Sequence, residues 1–164
     1  MASLLAIFYQ DQKDRLVYWW LFLVGALGLS VIHINAVGWL QYGIHSAFNS
    51  GLVLLMLLVL IGYIKIRMQT FSLQNVLGIG DIFFLFALAL GFATLSFVTL
   101  LVFGFIFSLI IHLVFQKFTL SRKHTKDISM HKEKTVPLAG YLSLFFAGVL
   151  LVHWLGFYDN LYVI

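Results

Sequence analysis

AFNSGLVLLMLLVLIGYIKIR, residues 47–67, sets the class of the whole chain. From Ala47 to Ile64 it carries no charge, and it then turns basic at Lys65 and Arg67. At ~1.5 Å per residue a helix over this run approaches the ~30 Å thickness of a bilayer's hydrocarbon core. Basic residues directly after such a run mark a cytoplasmic edge. The rest of the chain has the same character: 164 residues, 62% hydrophobic and 10% charged, with a single proline and a mean hydropathy of +1.03. This composition predicts an all-α integral membrane protein, and no separate soluble domain fits between the apolar runs.

Working outward, hydropathy predicts a short apolar start from Met1 to Tyr9, then spans near Leu16 to Ile34, Ala47 to Ile64, Ile82 to Phe97, Val98 to Phe115 and Val136 to Gly156. The start lacks the basic n-region and the small-residue cleavage pattern of a secretory signal, so it reads as retained structure. Continued as a helix to Asp14, it covers about 21 Å, and local thinning of the bilayer supplies the rest.

The ten basic residues fall into three groups: Lys13 and Arg15; Lys65 and Arg67; and Lys117, Arg122, Lys123, Lys126, Lys132 and Lys134. His33 to Ser46, the connection near Thr94 to Thr99, and the tail from Phe157 to Ile164 contain no lysine or arginine and are expected outside. A bundle of about six transmembrane helices with both termini outside satisfies every group. The whole chain, 1–164, reads as one transmembrane domain in the inner (cytoplasmic) membrane, with residues 116–135 as a basic cytoplasmic loop. The net charge of +4 then reflects orientation, and nucleic acid is not an expected partner. With no cysteine, disulfides, thiolate metal sites and cysteine nucleophiles are excluded together.

Acidic residues are scarce enough to take singly: Asp11, Asp14, Asp81, Asp127, Glu133 and Asp159. Asp127 and Glu133 lie in the basic loop, where solvated pairing accounts for them. Asp159 belongs to the outer tail. Topology brings Asp11, Asp14 and Asp81 to the same inner edge of the membrane, although about seventy residues separate Asp81 from the other two. Two readings stay open for them. Asp81, after Gly78 and Gly80, has the pattern of a helix cap, with the glycines supplying the turn. Asp11 and Asp14 have the pattern of an interfacial charge cluster with Lys13 and Arg15.

The other reading pairs Asp81 with an acid of the first helix. Two carboxylates sharing one proton activate a water, the ionised one accepting its proton while the protonated one polarises a carbonyl. On a helix Asp11 shares a stripe with Leu4, Ile7, Phe8 and Arg15, whereas Asp14 aligns with Ser3, Ile7 and Gln10 and lies farther toward water; this favours Asp11.

Three stretches carry a resemblance to a known family. Gly78-Ile79-Gly80-Asp81, continued by Ala87-Leu88-Ala89-Leu90-Gly91, resembles the GxGD signature that opens a helix in membrane aspartyl proteases of the prepilin and preflagellin peptidase type. Tyr9 to Val17 resembles the segment in which that family's first catalytic aspartate precedes basic residues and a second helix. Thr135-Val136-Pro137-Leu138-Ala139-Gly140-Tyr141-Leu142 resembles its lead-in to the last helix. The resemblance implies an endopeptidase that removes a short basic leader from pilin-like or flagellin-like precursors at the cytoplasmic membrane face, for assembly of a surface appendage such as a type IV pilus. By position, Asp11 and Asp81 would be its catalytic pair, Gly78 and Gly80 would position the helix, and Asp14, Glu133 and Pro137 would stand in supporting or substrate-side places. No cofactor or metal is implied. The family's common lysine after the GxGD aspartate is replaced here by Ile82-Phe83-Phe84, and Leu16-Val17-Tyr18 stands where Ile-Pro is common. The cysteine-bearing insertion of bifunctional members has no counterpart, so no N-methyltransferase activity is expected.

Other classes are weaker. Histidines 33, 45, 112, 124, 131 and 153 fit no compact ligand set and read as solvated or interfacial, with His33, His45 and His153 toward the outside. Trp19, Trp20, Trp39 and Trp154 read as interface anchors. Asn49, Ser50 and Ser108 read as interhelical hydrogen-bond formers, and Ala87 with Gly91, and Gly140 with Ala147 and Gly148, as close-packing small residues. A non-catalytic membrane scaffold for appendage assembly and a small proton-coupled transporter using Asp81 are the alternatives.

Overall fold

A computed structural model describes residues 2–13, 17–67, 78–122 and 138–156, with backbone only at 67, 115 and 117–122. The described residues are all-helical: α1 (Ala2–Lys13), α2 (Trp19–Val37), α3 (Trp39–Arg67), α4 (Ile79–Ala89), α5 (Thr94–Arg122) and α6 (Leu138–Trp154). Three stretches, Trp19–Val37, Trp39–Ile66 and Thr94–Val114, are long and apolar enough to cross a membrane. Trp19, Trp20, Trp39 and Trp154 are all exposed.

Three connections differ from the sequence reading. The stretch from His33 to Ser46 is not a loop: α2 runs to Val37, α3 begins at Trp39, and Gly38 alone joins them. Gly38 has φ +80, where a side chain is strained, and its N–H still reaches Ile34 O at 2.8 Å. The break between the fourth and fifth helices lies at residues 90–93 rather than 94–99. This leaves α4 with 11 residues, about 16 Å, roughly half the hydrocarbon thickness. The sequence-predicted loop at 116–135 begins as helix, since α5 continues to Arg122; residues 123–135 lie outside the described residues.

The short α4 is the innermost element. Leu85, Leu88 and Ala89 are fully buried, and Phe84 nearly so, against α2, α3 and α6. Phe22 of α2 meets Phe84 edge-on at 6.2 Å, and Phe92 and Phe146 join the same core. Gly91 lets the turn after α4 press on α2, since a Cβ there would lie 3.0 Å from Leu29 Cβ. α1 packs chiefly along α6 through its buried stripe of Leu4, Ile7 and Asp11.

A helix that stops inside a packed core leaves carbonyl groups without water to satisfy them. Asn49 Nδ2 donates to Ala89 O at 3.0 Å and Phe92 O at 2.8 Å, and His33 Nδ1 donates to Leu90 O at 3.2 Å. A carbonyl only accepts, so His33 carries its proton on Nδ1 in this contact. His45 Nδ1 lies 3.0 Å from the Thr94 hydroxyl and accepts from the Thr94 N–H at 3.4 Å, at the start of α5. The reading of His33 and His45 as solvated or interfacial is therefore corrected: His33 is fully buried, His45 is half-buried, and their rings stack at 5.8 Å.

Candidate active site

At the opposite end of α4 from that turn, both aspartates singled out in the sequence meet the start of α6. Asp11 stands one turn above Ile7 on the buried face of α1, itself 9% exposed, while Gln12 and Lys13 beside it are exposed. Its Oδ2 accepts from Gly140 N–H at 2.6 Å. Asp81, in the first turn of α4, accepts through Oδ1 from Ala139 N–H at 2.7 Å and through Oδ2 from Gly78 N–H at 3.2 Å.

Leu138 is the first residue of α6, so Ala139 and Gly140 hold two of the N–H groups that a helix cannot satisfy internally. Carboxylates there also meet the positive end of the helix dipole. Because the two amides are consecutive, the two carboxylates stand side by side, although they belong to helices far apart in sequence.

Glycine makes this approach possible at Gly140. A Cβ there would lie 2.7 Å from Asp11 Oδ2 and 3.2 Å from Asp11 Cβ. In the sequence Gly140 reads as a packing residue grouped with Ala147 and Gly148 and as one position of the stretch that resembles the family's lead-in to the last helix, with no contact to an acid expected. In the structure Ala147 is buried, while Gly148 is exposed with no neighbour near its Cβ position. The signal that could have singled out Gly140 is a glycine in the first turn of the helix that faces an acidic residue. Ser143 Oγ donates to Gly140 O at 2.8 Å and braces the same turn.

Gly78 and Gly80 act through space rather than through backbone freedom. Gly78 precedes α4 with φ −65 and ψ 142, a conformation open to most residues, so the expectation that the glycines supply a turn is corrected. A Cβ on Gly78 would lie 3.2 Å from Asp81 Oδ2, and one on Gly80 would face Phe22 at 3.4 Å. Asp81 caps its own helix from inside the first turn, holding the Gly78 N–H, and caps α6 as well.

Asp81 lies one residue ahead of the apolar run that begins at Ile82. Burial pushes its carboxyl up to about 6, the nearby charge of Asp11 adds to the rise, and the amides of Ala139 and Gly78 oppose it. Such a group holds a proton under mildly acidic conditions while its oxygens keep lone pairs for a further partner. The Gly78–Asp81 contact lies on the exposed side of the site. Chemically, the arrangement is an adjacent carboxyl pair, one member with a raised pKa, at the edge of an apolar bundle. Asp14, Glu133 and Pro137 lie outside the described residues. Among the described residues no cluster of three or more His, Cys, Asp or Glu side chains could hold a metal ion.

Comparisons with models of protein families, with curated proteins and with solved structures find no match.

Proposed function

We propose that the chain is an aspartic endopeptidase of the inner membrane, a six-helix bundle with both termini outside. It removes the short basic leader from prepilin-like or preflagellin-like precursors at the cytoplasmic face. One observation carries this reading: Asp11 and Asp81 meet at consecutive amides of one helix start, Ala139 and Gly140. In this reading Asp81, protonated below about 6, polarises the scissile carbonyl, and Asp11 takes a proton from the attacking water. The negative pair also attracts a basic leader. The GxGD-type resemblance of Gly78 to Asp81 supports the same assignment, and no methyltransferase step belongs to it.

A second reading has its own support. The same hydrogen bonds cap α4 and α6, so a non-catalytic scaffold would keep them for structure alone. Co-expression with a precursor bearing a basic leader separates the two. The peptidase reading expects mature product with the native chain and precursor with Asp11→Asn or Asp81→Asn. Unchanged processing by both variants sinks it.

A further inference from the structure

The buried polar residues around the end of α4 have no part in the carboxyl pair, yet they hold the other end of the helix that carries Asp81. From Asp81 to Ala89 is eight residues, about 12 Å of helix. Both ends of this short rod are tied to other helices by side-chain hydrogen bonds: Asp81 to the Ala139 N–H of α6, and Asn49 and His33 to the carbonyls of Ala89 at its end and of Leu90 and Phe92 in the turn that follows. Between them the rod is clad in fully buried leucines with no polar anchor of its own. Apolar packing sets lateral position well but is not directional, so the axial position falls to the polar contacts.

We infer that Asn49 and His33 are positioning residues: by clamping the carbonyls of Ala89, Leu90 and Phe92, they set how far α4 extends and so hold Asp81 in register with α6. Asn49 carries most of this, with two donor bonds from a side chain that is fully buried. His33 adds the third bond from α2, so the clamp ties α4 to two helices at once. Coupling through a short, rigid, buried helix needs no conformational change. Removing the clamp lets the rod slide, and a misplacement of about 1 Å at reacting groups lowers rate by about 100-fold. The catalytic consequence rests on the peptidase reading; the register does not.

The absence of native cysteine allows register to be measured directly. In the full chain, in lipid, Asp81→Cys with Ala139→Cys is cross-linked with a short bifunctional thiol reagent. Ser3→Cys with Gly25→Cys serves as the control, since a Cβ on Gly25 would lie an ordinary 3.6 Å from Ser3 Oγ and that contact joins α1 to α2 without α4. Adding Asn49→Leu is expected to lower the 81–139 cross-linking rate several-fold and leave the 3–25 rate unchanged. His33→Leu should act in the same direction more weakly. His33→Asn, which keeps a donor near the Nδ1 position, should restore the native rate.

In the otherwise native chain the same clamp variants should lower kcat for precursor cleavage by about tenfold or more with little change in KM, because positioning acts on the reacting geometry. Equal loss at both cross-linking pairs marks general unfolding and overturns the inference, as does an unchanged 81–139 rate in the leucine variants. If Asn49→Leu does not fold, the two His33 variants decide the matter alone. If the native chain cuts no precursor, the peptidase reading fails while the cross-linking result still stands for or against the clamp.

Discussion

A methyl group on Gly140 would press against Asp11 Oδ2, which lies only 2.7 Å from the Cβ position. Gly140→Ala is therefore expected to destabilise the fold by about 1 to 3 kcal/mol, as overpacking does. Processing should fall by more than stability alone explains, because the clash falls on the carboxylate itself. Chemical denaturation beside precursor cleavage checks both parts; native values in each would contradict the contact. Asp81 gives a pH signature. Its folded-state pKa of about 6 lies above the ordinary value of 3.8, so folding takes up a proton between those limits. Stability from this group is present at low pH and is lost as pH rises through that window. Asp81→Asn should flatten this part of the profile. If catalysis needs one proton on the pair, cleavage by the native chain should also fall as pH rises past about 6. A rate that holds level across this range contradicts Asp81 as the protonated partner. Both aspartates were legible in the sequence, because acids are rare in this chain and helical phase places Asp11 on the same face as Leu4 and Ile7. Their common contact with α6 was not, since two backbone amides have no residue signature and Gly140 looks like any packing glycine.

Among the elements, α4 shows what hydropathy does not see. Leu88 to Phe97 is almost uniformly apolar, so the turn at residues 90–93 leaves no dip in hydropathy; only Gly91 marks it, and glycine is common in membrane helices. The reverse error arises between α2 and α3. His33, Asn35, Gln41 and His45 dilute the apolar signal and read as a loop, yet helix runs on both sides of Gly38: buried His33 and Asn49 serve internal carbonyls, and half-buried His45 meets Thr94. The close contact after α4 gives a prediction at this scale. Gly91→Val would press a branched side chain onto Leu29, whose Cβ lies 3.0 Å from the added Cβ and whose Cδ1 lies 3.1 Å from it. A loss of about 1 to 3 kcal/mol is expected, read from the thermal or denaturant midpoint. A midpoint equal to the native one would show that the turn does not pack on α2 as described.

At the scale of the whole molecule, the all-helical architecture of the described residues followed from composition and from runs such as residues 47–67, because apolar length and helix geometry leave few alternatives in a bilayer. The proposed orientation rests on the basic groups and is testable by accessibility. In this cysteine-free chain, single substitutions Leu40→Cys and Leu155→Cys, both at exposed positions, should react with an impermeant maleimide from outside the intact cell. Lys13→Cys and Lys65→Cys should react only after the membrane is opened. The opposite pattern would invert the bundle and put the carboxyl pair on the wrong face for a cytoplasmic leader. The most direct test of the central claim is single-turnover cleavage of a basic-leader precursor by the purified chain in lipid, comparing native protein, Asp11→Asn, Asp81→Asn and the double variant. Two carboxyls acting as one unit predict that each single change abolishes cleavage and that the double change loses no more. Cleavage at the native rate in both single variants would contradict the account.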